Sequence, residues 1–214
     1  MRKLSVIFGV LILMMSSVHG QDYKLEEKSI SAVYEVNEKS KSDLYIAINK
    51  WISINYNSAK NVIQMNDKES GSIIIKGINE IVYKNTWKSM YPSNSLINEY
   101  SSLQFNHLIQ IDIKDNKYRI VFKITDIASN DEGFNDILLK GINFEGTNEQ
   151  AIAEYNMKTD NLLKQGLIGK TRRENYLALT KPMFDEINTK LILDIKTILK
   201  SLESSIISSS KNDW

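Results

Sequence analysis

The chain has 214 residues, a formal net charge of +1, two histidines and no cysteine. A chain without cysteine has no disulfide scaffold, no thiolate metal site and no cysteine nucleophile. A net charge near zero argues against binding of a polyanion through bulk electrostatics. The hydrophobic content of 42% is that of a folded globular protein.

The first twenty residues have the pattern of a secretory signal peptide. Arg2 and Lys3 precede an apolar run from Leu4 to Met15, which is shorter than the about 20 residues that a membrane helix needs. We expect cleavage before Gln21 and export to the periplasm or the extracellular space, without stable membrane insertion afterwards. Because no cysteine follows the leader, we expect no lipid anchor. Cleavage removes Arg2 and Lys3 and so lowers the net charge from +1 to −1.

The mature chain then opens with a strand and a helix. Residues 30–36 are β-branched and aromatic with partial alternation, which predicts a strand. Ser40 and Asp43 form a capping-box pattern that predicts a helix over 40–56 with an apolar stripe. Further strands are predicted at 62–66 and at about 72–84.

The clearest pattern in the sequence is an antiparallel hairpin from Leu103 to Thr125. Apolar residues alternate with mostly polar ones on both sides of a tight turn at Asp115 and Asn116. Such alternation predicts one dry face and one wet face. The preceding residues 87–101 contain Pro92 and several serines and asparagines, and they predict a loop.

The last third of the chain predicts helices. Residues 137–139 are either a short extra strand or a plug at the edge of the core, and helices are expected at 148–165 and 171–180. Pro182 either kinks a continuing helix or starts a new one. The last helix shows an amphipathic stripe of Phe184, Ile187, Leu191, Ile195, Ile198, Leu202 and Ser205.

These elements predict an α+β fold with the order β-α-β-β-β-β-α. A twisted antiparallel sheet of about five strands would be covered on its dry face by the 40–56 helix and the C-terminal helix. The expected division is a signal peptide at 1–20, a core at 22–127, a connector at 128–147, C-terminal helices packing on the core at 148–207, and a frayed tail at 208–214.

Four parts of the sequence carry a family resemblance: residues 39–45, Trp51, the strand-turn-strand at 61–77 and residues 111–119. They resemble a family of exported Bacteroidetes domains of unknown function that have a TATA-binding-protein-like (TBP-like) fold. The resemblance covers about residues 28–126. The resemblance implies a fold and a compartment, and it implies no activity.

Two groups of residues are candidates for contact with a ligand or partner. The 87–101 loop carries Trp87, Tyr91 and Tyr100. The wet face of the hairpin carries Gln104, Asn106, Gln110, Arg119 and Lys123. This face has two basic residues, Arg119 and Lys123, and one acidic residue, Asp112. Such a charge balance does not predict binding of nucleic acid.

His107 is the single histidine of the mature chain. The alternation groups it with Phe105 and Ile109, which predicts that its side chain lies on the dry face. His107 is either a core histidine or the polar group of a ligand cavity. One histidine without cysteine does not make a usual transition-metal site, so we expect no metal and no cofactor.

The leading hypothesis is a non-catalytic exported module that binds a protein, a peptide, a glycan or another envelope component. The sequence leaves its oligomeric state open and favours a monomer. The alternative is a carrier of a small apolar ligand held between the sheet and the long helix. A hydrolase with an unrecognised site comes third.

Overall fold

The computed structural model describes residues 22–56, 58–128 and 132–209. Six antiparallel strands form one sheet in the order β1-β2-β6-β5-β4-β3. The strands are β1 (Lys24–Glu26), β2 (Ser29–Glu35), β3 (Ile63–Asp67), β4 (Ser72–Lys84), β5 (Tyr100–Lys114) and β6 (Lys117–Ile127). The helices are α1 (Lys41–Asn55), α2 (Ala59–Val62), α3 (Thr86–Met90), α4 (Glu132–Gly141), α5 (Glu149–Gln165), α6 (Lys170–Leu177) and α7 (Thr180–Ser209).

The α+β fold class is confirmed, and so is the predicted hairpin. Strands β5 and β6 pair on both sides of the Asp115–Asn116 turn, and Asn116 takes a positive φ of 62° there. The sheet has six strands rather than about five, because the three-residue strand β1 adds to β2 at one edge. So short a strand carries too little alternation to be recognised in the sequence.

Helix α1 begins as the capping box predicted. The Ser40 hydroxyl accepts a hydrogen bond from the Asp43 amide, and the Asp43 carboxylate accepts one from the Ser40 amide. The apolar stripe of α1 is buried against the sheet and α7. The indole Nε1 of Trp51 donates to Ser201 Oγ of α7 at 3.2 Å, so the two covering helices contact each other directly.

Helix α7 is the second cover of the dry face. Pro182 lies in its first turn, where a missing amide hydrogen costs no helical hydrogen bond, so it starts a new helix rather than kinking one. The buried stripe includes Leu199 and Ile206, whereas Ile198 and Ser205 are only partly buried. The predicted stripe was therefore wrong by one residue at positions 198 and 205, whereas Leu202 between them is buried as predicted.

Two segments differ from their predicted structure. Residues 137–139 belong to helix α4 and not to a strand, so the 128–147 segment is more than a connector. Ile137 is buried, and α4 packs against both α5 and β6. Within the predicted loop at 87–101, residues 86–90 form the short helix α3, whose N-cap Asn85 accepts from the Trp87 amide.

The predicted tail at 208–214 is described only in part. Residues 208 and 209 still belong to α7, and residues 210–214 lie outside the described residues, as does the predicted signal peptide. Within the described ranges, none of the helices combines the length and the apolar content needed to cross a bilayer.

Gly71 is required by the turn that joins β3 to β4. Its φ of +76° lies in the left-handed region, and a Cβ placed there would lie 2.6 Å from the carbonyl oxygen of Ile113. We expect Gly71→Ala to lower the free energy of unfolding by about 1–3 kcal/mol, measured by urea denaturation. Gly166→Ala is the matched control, because Gly166 has a φ of −76° and only ordinary contacts. Equal losses in the two variants would contradict this assignment.

Candidate functional site

The predicted wet face of the hairpin is the face of the sheet that α1 and α7 leave uncovered. Gln104, Arg119 and Lys123 are exposed on it, and Asn106 and Gln110 are half-buried. The register places Gln110 opposite Val121 and Asp112 opposite Arg119 on the neighbouring strand. The open face is therefore one continuous surface across β4, β5, β6 and β2.

An acidic side chain organises the polar part of this face. Asp112 Oδ2 accepts from Arg119 Nε at 3.1 Å and from Arg119 Nη2 at 2.6 Å. Gln110 Nε2 donates to both carboxylate oxygens of Asp112 at 3.2 Å. Partial burial raises the pKa of Asp112, but the hydrogen bonds from Arg119 and Gln110 outweigh it and hold the net pKa below its usual value. Arg119 and Gln110 are thus already engaged within the protein.

The remaining predicted polar residues are spread along the sheet. Gln104 Nε2 donates to Glu80 Oε2 of β4 at 2.8 Å. Lys123 lies opposite Leu108, and Asn106 lies between Ile78 of β4 and Asp126 of β6. The structure therefore does not gather the predicted polar residues into one site.

Exposed apolar side chains on the same face were missed in the sequence. Ile78 and Val82 of β4 are 63% and 49% exposed. Val33 is also exposed. Leu108 is exposed as well, on the face where the alternation of the hairpin predicts it. The signal was present in β4, where apolar residues occupy even as well as odd positions, but such a run also fits a strand buried on both faces.

The apolar surface continues into the segment that joins β4 to β5. Val82, Trp87, Leu96 and Tyr100 line a solvent-open groove of about 830 Å³. Asn85, Asn98, Ser101 and Ser102 add polar groups to its wall. Leu96 is 90% exposed.

Two of the three predicted aromatic residues pack on α6. The rings of Trp87 and Tyr176 lie 5.1 Å apart between centroids, and Tyr176 Oη shares a hydrogen bond of 2.9 Å with Thr86 Oγ1. The Arg172 guanidinium lies 5.6 Å from the Tyr91 ring centroid. Trp87 and Tyr100 line the groove, whereas Tyr91 lies on the α6 side of it.

His107 lies on the covered face of β5 and is 1% exposed. Its ring stacks on Phe122 with centroids 4.5 Å apart, and a Cβ at Gly77 would lie 2.8 Å from its Nε2. Neither ring nitrogen has a hydrogen-bond partner in the described part of the chain. Desolvation lowers the pKa of His107 from 6.5 to about 4, so the ring is neutral at pH 7.

A second solvent-open groove of about 730 Å³ passes this position, bounded by Gly77, Ile78, Asn106 and Thr125 among others. Both nitrogens of His107 are nevertheless buried within the packing. Within the described ranges, no three residues of histidine, aspartate or glutamate are clustered so that they could hold a metal ion.

The antiparallel sheet, with one face covered by helices and the other face open, makes this an α+β protein. Residues 31–128 match the model of the family "Domain of unknown function (DUF4468) with TBP-like fold". The family resemblance noted in the sequence is thereby confirmed. Helices α4 to α7 lie outside the matched residues.

Among the solved structures with similarity to this chain are proteins from two Bacteroidetes species. One is a TBP-like protein from Parabacteroides distasonis, with 19% identity, a TM-score of 0.37 and coverage of 48% of this chain and 57% of that one. Another is a DUF4468 family protein from Bacteroides ovatus, with 18% identity, a TM-score of 0.38 and coverage of 49% and 57%. The aligned part of this chain thus spans little more than half the length of each. No curated protein matches the sequence.

The depressed pKa of His107 predicts a loss of stability in acid. Between pH 6.5 and about 4 the unfolded chain binds a proton at this residue and the folded chain does not. Stability contributed by neutral His107 is therefore complete above pH 6.5 and falls by up to about 3 kcal/mol as the pH decreases to 4. Urea denaturation at pH 7, 5.5 and 4 measures this loss.

The matched variant for this measurement is His107→Leu. It removes the titrating group and also two buried nitrogens without hydrogen-bond partners, so we expect equal or greater stability at pH 7 and a shallower decline towards pH 4. If the free energy of unfolding of the variant declines in parallel with that of the wild type, His107 is not the group responsible.

Proposed function

We propose that this chain is an exported module that acts by binding a protein or peptide partner and not by catalysing a reaction. The contact surface would be the open face of the sheet together with the groove at the segment that joins β4 to β5. This groove is defined by Val82, Trp87, Leu96 and Tyr100. The observation that carries the proposal is the exposure of these apolar side chains: Leu96 is 90% exposed, Tyr100 55% and Trp87 43%. Apolar side chains grouped on a surface are typical of interaction sites.

A polypeptide fits this groove better than a purely apolar ligand does. Its wall combines the apolar side chains with the carboxamide of Asn98 and the hydroxyls of Ser101 and Ser102. Such groups can donate to and accept from the main chain of a partner, while the aromatic rings provide the large contact area that dominates the energetics of protein interfaces.

The rigidity of the groove also supports the proposal. Trp87 packs against Tyr176 of α6. Asn85 Nδ2 donates to the carbonyl oxygen of Asn98 at 3.0 Å, and this bond joins the two ends of the segment between β4 and β5. A surface that is ordered before binding loses less conformational entropy when a partner docks.

Site-specific photo-crosslinking tests this contact surface. A photoreactive amino acid at position 96 should form an adduct with a distinct protein in cells that export the chain. The matched control is position 167, because Leu167 is 92% exposed, lies between α5 and α6, and does not line the groove. A protein captured at position 96 alone supports the proposal. No adduct, or the same products at both positions, would count against it.

Substitutions complete this test. We expect Leu96→Ser with Tyr100→Ser to reduce recovery of the crosslinked partner in a pull-down from an envelope extract by at least about ten-fold, and Leu167→Ser to leave recovery unchanged. These exposed residues are chosen because Trp87→Ala would also remove packing against α6. Recovery that is equal in both variants would place the partner elsewhere.

Export is a separate part of the proposal, supported by the leader pattern of residues 1–20. When the full chain is expressed in a bacterium with a working secretion system, the recovered protein should begin at Gln21 in N-terminal sequencing. Leu11→Arg and Leu13→Arg together interrupt the apolar run, and we expect them to retain the uncleaved chain in the cytoplasm. Recovery of the wild type with Met1 intact would contradict the leader assignment.

A further inference from the structure

Strand β4 has one paired edge and one edge that is only partly paired. At its two ends, Ile113 N–H donates to Gly71 O at 2.8 Å and Asn85 N–H donates to Glu99 O at 2.9 Å. The register between β4 and β5 has no shift over residues 72–84. The odd-numbered residues of β4 therefore bond to β5, and the even-numbered residues direct their amide and carbonyl groups to the opposite edge.

Within the described ranges, the outward groups of β4 are hydrogen-bonded at the two ends of the opposite edge, and α2 contacts β4 beside the end that pairs with β3. Strand β3 pairs with residues 72–75 of β4. At the other end, Lys84 N–H donates to the Glu186 carboxylate of α7 at 3.3 Å. Between them, no strand in the described part of the chain pairs with the outward groups of Ile78, Glu80 and Val82. Three consecutive outward positions with their donors and acceptors unpaired form a template for an added strand.

The charges along this edge discriminate between possible occupants. A second copy that paired antiparallel with all three positions would place Glu80 opposite Glu80 and Lys76 opposite Lys84. Like charges directly opposite one another destabilise a strand pair. A different strand avoids both repulsions if it has a basic residue opposite Glu80 and acidic residues opposite the two lysines. Apolar residues of that strand would lie beside Ile78 and Val82, which are exposed on the open face.

We propose that the outer edge of β4 at residues 78–82 binds an extended peptide segment by strand addition. Every second side chain of the bound segment lies on the side of the open face, and these side chains are acidic, apolar, basic, apolar and acidic in that order. Main-chain hydrogen bonds supply affinity in this mode, and the alternate side chains supply selectivity. The inference rests on the proposed function, because it specifies the chemistry of the polypeptide partner, and it extends the contact surface from the groove to the adjacent edge.

Two synthetic peptides test the pairing. The probe is Glu-Thr-Val-Thr-Lys-Thr-Val-Thr-Glu, whose pattern is the same in either direction, so it matches the edge as a parallel or an antiparallel strand. Its control, Lys-Thr-Val-Thr-Glu-Thr-Val-Thr-Lys, has every charge reversed. We expect the probe to bind the mature protein about ten-fold more tightly than the control by fluorescence polarisation. Bound probe should also slow hydrogen exchange at the amides of Ile78, Glu80 and Val82.

A pair of variants separates main-chain pairing from apolar contact. Ile78→Pro removes an outward amide hydrogen without touching the ladder to β5, and proline is tolerated at such edge positions. Ile78→Ala removes a similar amount of side chain but keeps the amide hydrogen. We expect the proline variant to bind the probe at least about ten-fold more weakly than the alanine variant does. Equal binding by the two variants would overturn strand addition.

Glu80→Lys provides a second measurement that does not depend on the fold of the proline variant. It should reverse the preference, so that the charge-reversed peptide binds more tightly than the probe.

Absence of binding of both peptides to the wild type at millimolar concentration would contradict strand addition. A wild-type dimer in sedimentation velocity that Ile78→Pro converts to a monomer would assign the edge to a second copy. Crosslinking at position 96 is independent of these results, so the groove proposal can hold where strand addition fails.

Discussion

Burial of one face of the sheet beneath α1 and α7 is the constraint on which the rest of the structure depends. Trp51, Phe105 and Phe122, which are among the largest fully buried side chains, lie in this layer. The chain contains no cysteine, so this packing has to stabilise the fold without disulfide bonds. Once one face is committed to the core, the period-two geometry of the strands fixes which side chains are directed to the open face.

The sequence was sufficient for the elements with strong local patterns. The hairpin of β5 and β6 has long alternating strands and a two-residue turn, and α1 begins at a capping box, so both were predicted close to their bounds. Helix α4 was missed because residues 132–141 contain two glycines and only a short apolar run, which fits a strand as well as a helix. Its helical form is stabilised by packing on α5 and β6, which are distant in the sequence and outside the reach of a local pattern.

The candidate site was predictable to a lesser extent. Alternation placed Gln104, Arg119 and Lys123 on the wet face, and those residues are exposed there. Their partners were not predictable, because the bond from Gln104 to Glu80 depends on the register between β4 and β5. The partly unpaired edge of β4 follows from the difference in length between β3 and β4, and the order of strands in a sheet is a tertiary property.

The bond between Trp51 and Ser201 joins residues 150 positions apart, and this separation has a consequence for the order of folding. The apolar face of the sheet cannot be fully covered until α7, which follows every strand in the chain, is available to pack on it. An emerging chain that has reached only β6 still exposes Phe105, Phe122 and Ile124 to solvent. Long-range closure of this kind slows folding, so this apolar surface stays exposed until α7 is available.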